Sequence, residues 1–275
     1  MKERVVTQIV RGTPALDGAG VRLVRVLGPD TVYDFDPFLM LDSFDSRNPD
    51  DYTRGFPMHP HRGIETLTYL VHGEIDHEDS LGNSGKILDG SAQWMTAGSG
   101  ILHQEMPQPA ERILGIQLWI NLLKKEKMTE PKYFDILPKD VKPYTAEDYK
   151  VNVLSGNFHG VTGVTPHHLQ VTFFDVALKP NMSIEVPAIA GENAFIFLLE
   201  GDCTINKGEY TEKSALLLSD GDFVRVDATD KPLRFLFIQG PRVNESIAWG
   251  GPIVMNTREE LQLAFSELRA GTFIK

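Results

Sequence analysis

The chain has 275 residues, 41% hydrophobic and 24% charged, which is enough apolar sequence for one large domain or two of moderate size. Its formal charge of −11 disfavours direct nucleic-acid binding through a broad basic face. The single cysteine, Cys203, excludes an internal disulfide and a thiolate metal cluster, and it fits a reducing compartment. The charged N-terminus "MKERVVTQIV" has no signal-peptide pattern, and no apolar run is long enough to span a bilayer. These features predict a cytoplasmic protein without a membrane partner.

Short apolar stretches separated by Gly, Pro, Asn and Asp follow one another along most of the chain. They include "GVRLVRVLG", "IETLTYLVHGEIDHED", "ILGIQLWINL", "LQVTFFDVAL" and "LRFLFIQG". This pattern predicts an all-β fold, either a sandwich or a barrel. Helical patterning occurs in "TREELQLAFSELRAG", where Thr257 and Glu260 resemble a capping box and Gly271 supplies a stop. We therefore expect one short helix near the C-terminus.

Two stretches of equal length indicate an internal repeat. "HPHRGIETLTYLVHG" (residues 59–73) and "PAIAGENAFIFLLEG" (residues 187–201) both place Gly fifth, then an apolar strand, then a closing Gly. Only the first copy is predicted to bind a metal, because the copies differ in their side chains. At three equivalent positions the first copy has His59, His61 and Glu65, and the second has Pro187, Ile189 and Asn193.

The repeat predicts two β-barrels of common ancestry. We place the metal-binding barrel at residues 1–135. The second barrel, without metal ligands, and the terminal helix occupy residues 136–275. The Lys/Pro-rich segment 125–149 is interpreted as the connector between them.

Two pairs of polar residues in β-like surroundings form the candidate metal site. His59 and His61 lie two positions apart, so their side chains point to the same face of a strand. His103 and Glu105 repeat that spacing at the end of "TAGSGILHQE". If the two strands are neighbours, four ligands converge inside one barrel.

Three neutral imidazoles and one carboxylate suit Fe, Mn, Ni, Cu or Zn better than Mg or Ca. A single carboxylate leaves such a cation Lewis acidic, and a structural zinc site would more often use thiolates. Glu65 has the same strand parity as His59 and His61. From the residues alone, Glu65 is either a further ligand or an acceptor that orients an imidazole.

The other histidines are interpreted as ordinary surface or core residues, with His77 and Glu78 as solvated residues of a hairpin. An apolar pocket around the metal is expected, although ordinary core packing explains each of its candidates equally well. The four candidates for this pocket are Phe56, Met58, Met106 and Trp119.

These motifs resemble the cupin superfamily and, more narrowly, the pirin family. The resemblance is carried by residues 56–107, by the flanking "FDPFLMLDSF" and "LGIQLWINL", and by the late "GPRVNESIAWGGPIVMNTREE". It covers nearly the whole chain and is most specific in the first half. The resemblance implies a monomeric bicupin of two jelly-roll barrels, with one metal, usually Fe(II), in the N-terminal barrel only.

Carried over by motif position, the family's metal ligands fall on His59, His61, His103 and Glu105, so that Glu65 is left as a supporting residue. The general cupin pattern would instead use Glu65. The resemblance implies a quercetin 2,3-dioxygenase that cleaves a flavonol with O2 and releases CO, with Glu105 as the general base. The alternative that it implies is a non-enzymatic, redox-sensing regulator that binds a transcription factor or a metabolic enzyme.

Overall fold

The computed structural model describes residues 1–275, and its secondary structure is almost entirely β. The first half of the chain carries two short 3-10 turns, at Pro29–Thr31 and Pro49–Asp51, and a third at Lys124–Glu126. Its strands are β1 (Val6–Arg11), β2 (Thr13–Asp17), β3 (Val21–Leu27), β4 (Phe38–Ser46), β5 (Phe56–His61), β6 (Ile64–His72), β7 (Glu74–Asp79), β8 (Ser84–Ile87), β9 (Ala92–Thr96), β10 (Ile101–Gln108), β11 (Ile113–Asn121), β12 (Lys132–Ile136) and β13 (Lys142–Thr145).

The second half continues with short strands and ends in one α-helix, α1 (Arg258–Ala270). The all-β prediction with a short C-terminal helix is therefore confirmed. The strands of this half are β14 (Tyr149–Ser155), β15 (Asn157–Phe158), β16 (Val161–Thr162), β17 (Thr172–Leu178), β18 (Ser183–Pro187), β19 (Asn193–Glu200), β20 (Cys203–Ile205), β21 (Gly208–Tyr210), β22 (Ser214–Leu218), β23 (Phe223–Ala228), β24 (Leu233–Gly240), β25 (Ala248–Gly250) and β26 (Ile253–Met255).

The chain folds into two compact units, and each unit includes a segment from the far end of the chain. The first barrel comprises Pro14–Asp30, Phe38–Pro138 and Val243–Lys275, and the second barrel comprises Met1–Thr13, Thr31–Pro37 and Lys139–Arg242. In the middle of the chain the two units divide between Pro138 and Lys139. The N-terminal segment joins the second barrel because β1 pairs with β22, and the C-terminal segment joins the first barrel because Ile253 of β26 forms a β-bridge with Arg62.

Two sheets build the first barrel. One has seven strands in the order β12-β9-β6-β11-β4-β3-β2, and the other has four in the order β5-β10-β7-β8. The segment expected to be a connector contributes β12 to this barrel and β13 to the sheet of the second barrel. Strand β6 is almost wholly buried, which explains its run of β-branched and aromatic residues.

The second barrel repeats the plan with a seven-stranded sheet, β1-β22-β19-β24-β17-β14-β13, and a four-stranded sheet, β18-β23-β20-β21. Its interior is apolar, with Phe174, Ile196 and Phe237 among the buried core side chains. Cys203 is buried in this core, and burial raises the pKa of its thiol to about 12. The second copy of the repeat therefore keeps a packed barrel interior.

Helix α1 begins and ends as its sequence predicts. Thr257 and Glu260 form a reciprocal capping box, and Gly271 closes the helix in the left-handed conformation with φ 70°. The helix is neither long nor apolar enough to cross a membrane.

The C-terminal segment is held on the first barrel by two buried cations. Arg62 donates to the carbonyls of Ser99 and Phe273 and forms a 2.6 Å ion pair with Glu267 of α1. Lys127 donates to Asn121 Oδ1 at 2.7 Å and to the carbonyls of Gly63 and Val254. Since these contacts fix β26, they also fix the residues just before it, which reach the site described next.

Candidate metal centre

Strand pairing brings the two predicted ligand pairs together. In the four-stranded sheet of the first barrel, β10 lies between β5 and β7. His103 pairs directly with His59 across β10 and β5, and a bulge follows before Glu105 pairs with Phe56. Directly paired residues project to the same face, so the histidines of both strands converge.

The side chains of His59, His61 and His103 form one compact cluster. Their ligand atoms all lie within 4.8 Å of one another, and His61 and His103 are almost completely buried. The Nε2 atoms of His59 and His61 are 3.0 Å apart. Two nitrogens bound at right angles to one metal at about 2.1 Å would stand about 3.0 Å apart, so this spacing suits a shared ion.

Hydrogen bonds on the far side of two rings direct their lone pairs into the cluster. Nδ1 of His59 lies 2.9 Å from the carbonyl oxygen of Pro57, and Nδ1 of His61 lies 3.2 Å from that of Pro252. A carbonyl accepts only from a protonated Nδ1, which leaves Nε2 of each ring as the free acceptor. Two such lone pairs face each other, and a cation between them would relieve their repulsion.

His103 completes the fit to a metal ion. Both of its ring nitrogens are buried without a hydrogen-bond partner, which is costly for a polar group unless another species binds it. Burial and the neighbouring rings lower the pKa of His103 well below its usual value, and burial lowers the pKa of His61 to about 3. The imidazoles of His61 and His103 are therefore neutral, the form that binds a metal.

The carboxylate of Glu105 lies outside the group of three histidines and is held by two donors. Its Oε1 accepts from Thr68 Oγ1 at 3.0 Å, and its Oε2 accepts from Gln117 Nε2 at 2.7 Å. The Gln117 amide in turn accepts from the indole N–H of Trp119 at 3.3 Å. The Glu105 side chain is buried on β10, two residues beyond His103.

Glu65, the alternative carboxylate, is completely buried on β6. Its Oε1 accepts from Thr96 Oγ1 at 2.6 Å, across the β6–β9 pair. Glu65 is likewise not part of the group of three histidines.

A cavity of about 650 Å³ opens onto His59 and His61. This volume lies within the usual range of small-molecule sites. Trp119 packs edge-on against His61 with ring centroids 5.0 Å apart, and Trp249 lies 5.8 Å from Trp119. The remaining lining side chains include Met40, Phe56, Gln117, Arg25, Asp17 and Asp42.

Of the four predicted pocket residues, Phe56 and Trp119 line this cavity. Met58 points away and is 45% exposed. Met106 packs against Gly55 instead. Strand alternation alone would place Phe56 and Met58 on one face, opposite to that of His59 and His61. The extra residue of β5 between His59 and Phe56 instead sets Phe56 directly opposite Glu105, on the face of the histidines.

One histidine lies elsewhere than expected, and several site residues escape detection in the sequence. His77 is not a solvated hairpin residue: it is buried on β7 directly opposite Glu105, and its Nε2 lies 2.6 Å from Gln93 Nε2. Trp249 and Pro252 reach the site from the other end of the chain. Gln117 did carry a usable signal, since it is the polar residue at the centre of the apolar strand "ILGIQLWIN".

Two cupin barrels, one with a buried cluster of three histidines, define this protein as a bicupin. The Pirin family matches residues 20–120, and the Pirin C-terminal cupin domain matches residues 173–274. The chain belongs to the pirin family.

Relatives of known name match over nearly the whole chain. A pirin-like protein of Caulobacter vibrioides is 42% identical, with 99% of this chain and 100% of that protein covered. Pirin of Homo sapiens is 36% identical, with 96% of this chain and 92% of that protein covered. The crystal structure of a quercetin 2,3-dioxygenase from Acinetobacter baumannii has a TM-score of 0.91 and 29% identity, with 98% of both chains covered.

Proposed function

We propose that this protein is a metal-dependent dioxygenase that cleaves flavonols such as quercetin with O2. The observation that carries the proposal is the cluster of three histidines at an aromatic-walled cavity of about 650 Å³. The likeness to a quercetin 2,3-dioxygenase over 98% of both chains supports the choice of reaction. In this reaction one flavonol and one O2 give one ring-opened ester and one CO.

His59, His61, His103 and Glu105 are the proposed ligands of one divalent metal ion. Fe(II) is the ion that we favour, and Mn, Ni, Cu or Zn suit the same donors. When bound, the ion would act as a Lewis acid and as a template for the two substrates. The neutral state of the buried imidazoles and the inward direction of their lone pairs prepare the site for that ion.

The cavity walls would hold the flat rings of the substrate. Trp119 and Trp249 offer aromatic surfaces beside His61, and Phe56 and Met40 add apolar area. Asp42 and Asp17 flank Arg25 at distances of 2.7 and 2.6 Å. Their carboxylates can accept hydrogen bonds from phenolic hydroxyls, which flavonols carry on both ring systems.

Glu105 is the proposed proton acceptor. It would take the proton of the flavonol hydroxyl, so that the O–H bond of the substrate breaks and a new O–H bond forms on the carboxylate. Its burial beside His103 keeps water away from the transferred proton. The acid formed can return the proton to the ring-opened product.

Metal analysis coupled to O2 uptake tests the proposal. The protein loaded with Fe(II) should consume O2 with quercetin and release CO in equal amounts, and His61→Ala should abolish both. Full metal occupancy without O2 uptake on a panel of flavonols would overturn the proposal. The regulatory alternative would then be tested by comparing the affinity for a captured protein partner between the Fe(II) and Fe(III) forms.

A further inference from the structure

A row of polar side chains crosses the seven-stranded sheet of the first barrel. Each member pairs directly with the next across adjacent strands, so all of them project to the same face of the sheet. In order from β12 to β3, the row is Asp135, Gln93, Thr68, Gln117, Asp42 and Arg25. A polar row in the middle of apolar strands costs stability unless its members are satisfied, which indicates a role beyond packing.

Gln117 is the member of this row at the centre of the site. Its Nε2 donates to Glu105 Oε2 at 2.7 Å and to Thr68 Oγ1 at 3.2 Å. Its Oε1 accepts from Trp119 Nε1 at 3.3 Å. Because an indole N–H can only donate, the amide of Gln117 has one orientation, with its NH2 group toward the carboxylate.

Thr68 complements Gln117 on the other carboxylate oxygen. The two donors lie on neighbouring strands, β6 and β11, and each binds a different oxygen of Glu105. A carboxylate held at both oxygens cannot rotate freely, yet each oxygen keeps a lone pair for a further partner. The sheet register therefore determines the plane of the Glu105 carboxylate.

We propose that Gln117 is a positioning residue, whose amide holds the Glu105 carboxylate in the orientation that binds a metal ion beside the three histidines. The proposal deepens the proposed function: it rests on Glu105 as a metal ligand, and its catalytic consequence rests on the dioxygenase reaction. In that reaction Gln117 takes no proton: it directs the lone pair of Glu105 that receives the hydroxyl proton of the substrate.

The chain offers a matched control. Gln93 is buried in the same row as Gln117, but its amide contacts His77 and Asp135 rather than Glu105. Methionine replaces glutamine with similar volume and without the amide. Comparing Gln117→Met with Gln93→Met therefore separates the hydrogen bond to Glu105 from the general loss of a buried amide.

The probe is Co²⁺, titrated into metal-free protein by calorimetry and by visible absorption, which reports on the ligands of the ion. Gln117→Met should weaken Co²⁺ binding about ten- to a hundredfold, the range for residues that orient a ligand, and should change the absorption bands. Gln93→Met should keep the affinity within about threefold and leave the bands unchanged. Wild-type affinity and bands in Gln117→Met, or an equal loss in Gln93→Met, would overturn the proposal.

Two further variants complete the test. Should Gln117→Met fail to fold, Thr68→Val removes the other donor to Glu105 with little change of shape. Its Co²⁺ affinity and absorption bands should then shift in the direction expected for Gln117→Met. Unchanged values would overturn the proposal. Gln117→Glu keeps the shape but places an acceptor against the carboxylate, so it should fail to restore wild-type binding. Since Co²⁺ binding requires no flavonol, a protein without dioxygenase activity would contradict the proposed function and leave this assignment standing.

Discussion

Nδ1 of His61 lies 3.2 Å from the carbonyl oxygen of Pro252, a residue 191 positions further along the chain. That bond directs Nε2 of His61 toward the other two histidines of the cluster. Pro252 contributes only a backbone carbonyl, yet this bond determines which ring nitrogen of His61, a proposed metal ligand, carries the proton. The C-terminal segment is therefore part of the candidate metal centre of the first barrel.

Removing the arginine that holds this segment should weaken both the fold and the site. Arg62→Leu leaves Glu267 and two carbonyl oxygens without their buried donor. We expect a loss of about 2–4 kcal/mol in the free energy of unfolding, measured with urea. Metal affinity should fall as well, because α1, which Arg62 binds through Glu267, packs on β25 and β26 on either side of Pro252.

The control for Arg62 is Lys275→Ala, which removes the other cation on Glu267. That lysine is 44% exposed, so its loss should change stability by less than about 1 kcal/mol. Metal binding by Arg62→Leu as tight as that of wild type would contradict the prediction, because it would show that the position of Pro252 does not depend on the arginine.

The stability of the metal-free protein should fall as the pH drops below 6.5. Burial lowers the pKa of His61 from 6.5 to about 3, so between these values the unfolded chain binds a proton that the folded chain does not. Each such group reduces the free energy of unfolding by up to about 1.4 kcal/mol per pH unit across that window, and His103 acts in the same direction. Urea titrations of the metal-free protein at pH 7.5 and at about pH 5 measure the slope.

His61→Asn supplies the comparison for the pH effect. It removes one of the depressed groups, so its stability should depend less steeply on pH than that of wild type. Parallel curves for the two proteins would show that His61 is not kept neutral by the fold.

Trp249 should contribute to substrate affinity rather than to the chemical step. Trp249→Ala removes an aromatic wall of the cavity, and we expect KM for quercetin to rise about tenfold with a smaller change in kcat. Met58→Ala serves as the control, because Met58 lies outside the cavity and is 45% exposed. Equal KM values for the two variants would exclude Trp249 from the substrate site.

The two buried glutamates should differ in metal binding. Glu105→Gln should lower the affinity for Fe(II) at least about tenfold, because it removes the charge beside His103. Glu65→Gln should retain the affinity within about threefold, because its carboxylate binds Thr96 on the neighbouring strand. Anaerobic calorimetric titration measures both, and the opposite order would make Glu65 the metal ligand.

The local features of the fold could be predicted because they depend on neighbours in the sequence. The i, i+2 spacing of His59 and His61 determines a shared face in any strand, and the capping box at Thr257 needs only one helical turn. The repeat also predicted two barrels, of which only the first carries histidines at these positions. These predictions rest on covalent geometry and periodicity, which any context preserves.

The site could not be completed in this way, because its remaining members meet only across strands. Gln117 lies beside Thr68 through the register of β11 and β6 and meets Glu105 of β10 in the other sheet, and Trp249 and Pro252 enter from the end of the chain. Likewise His77, expected in a solvated turn, is buried because β7 pairs along β10. The sequence alone determined which side chains could hold a metal. Only the tertiary structure, through register and the return of the C-terminal segment, decided which groups orient them, since such contacts depend on distances that no local spacing encodes.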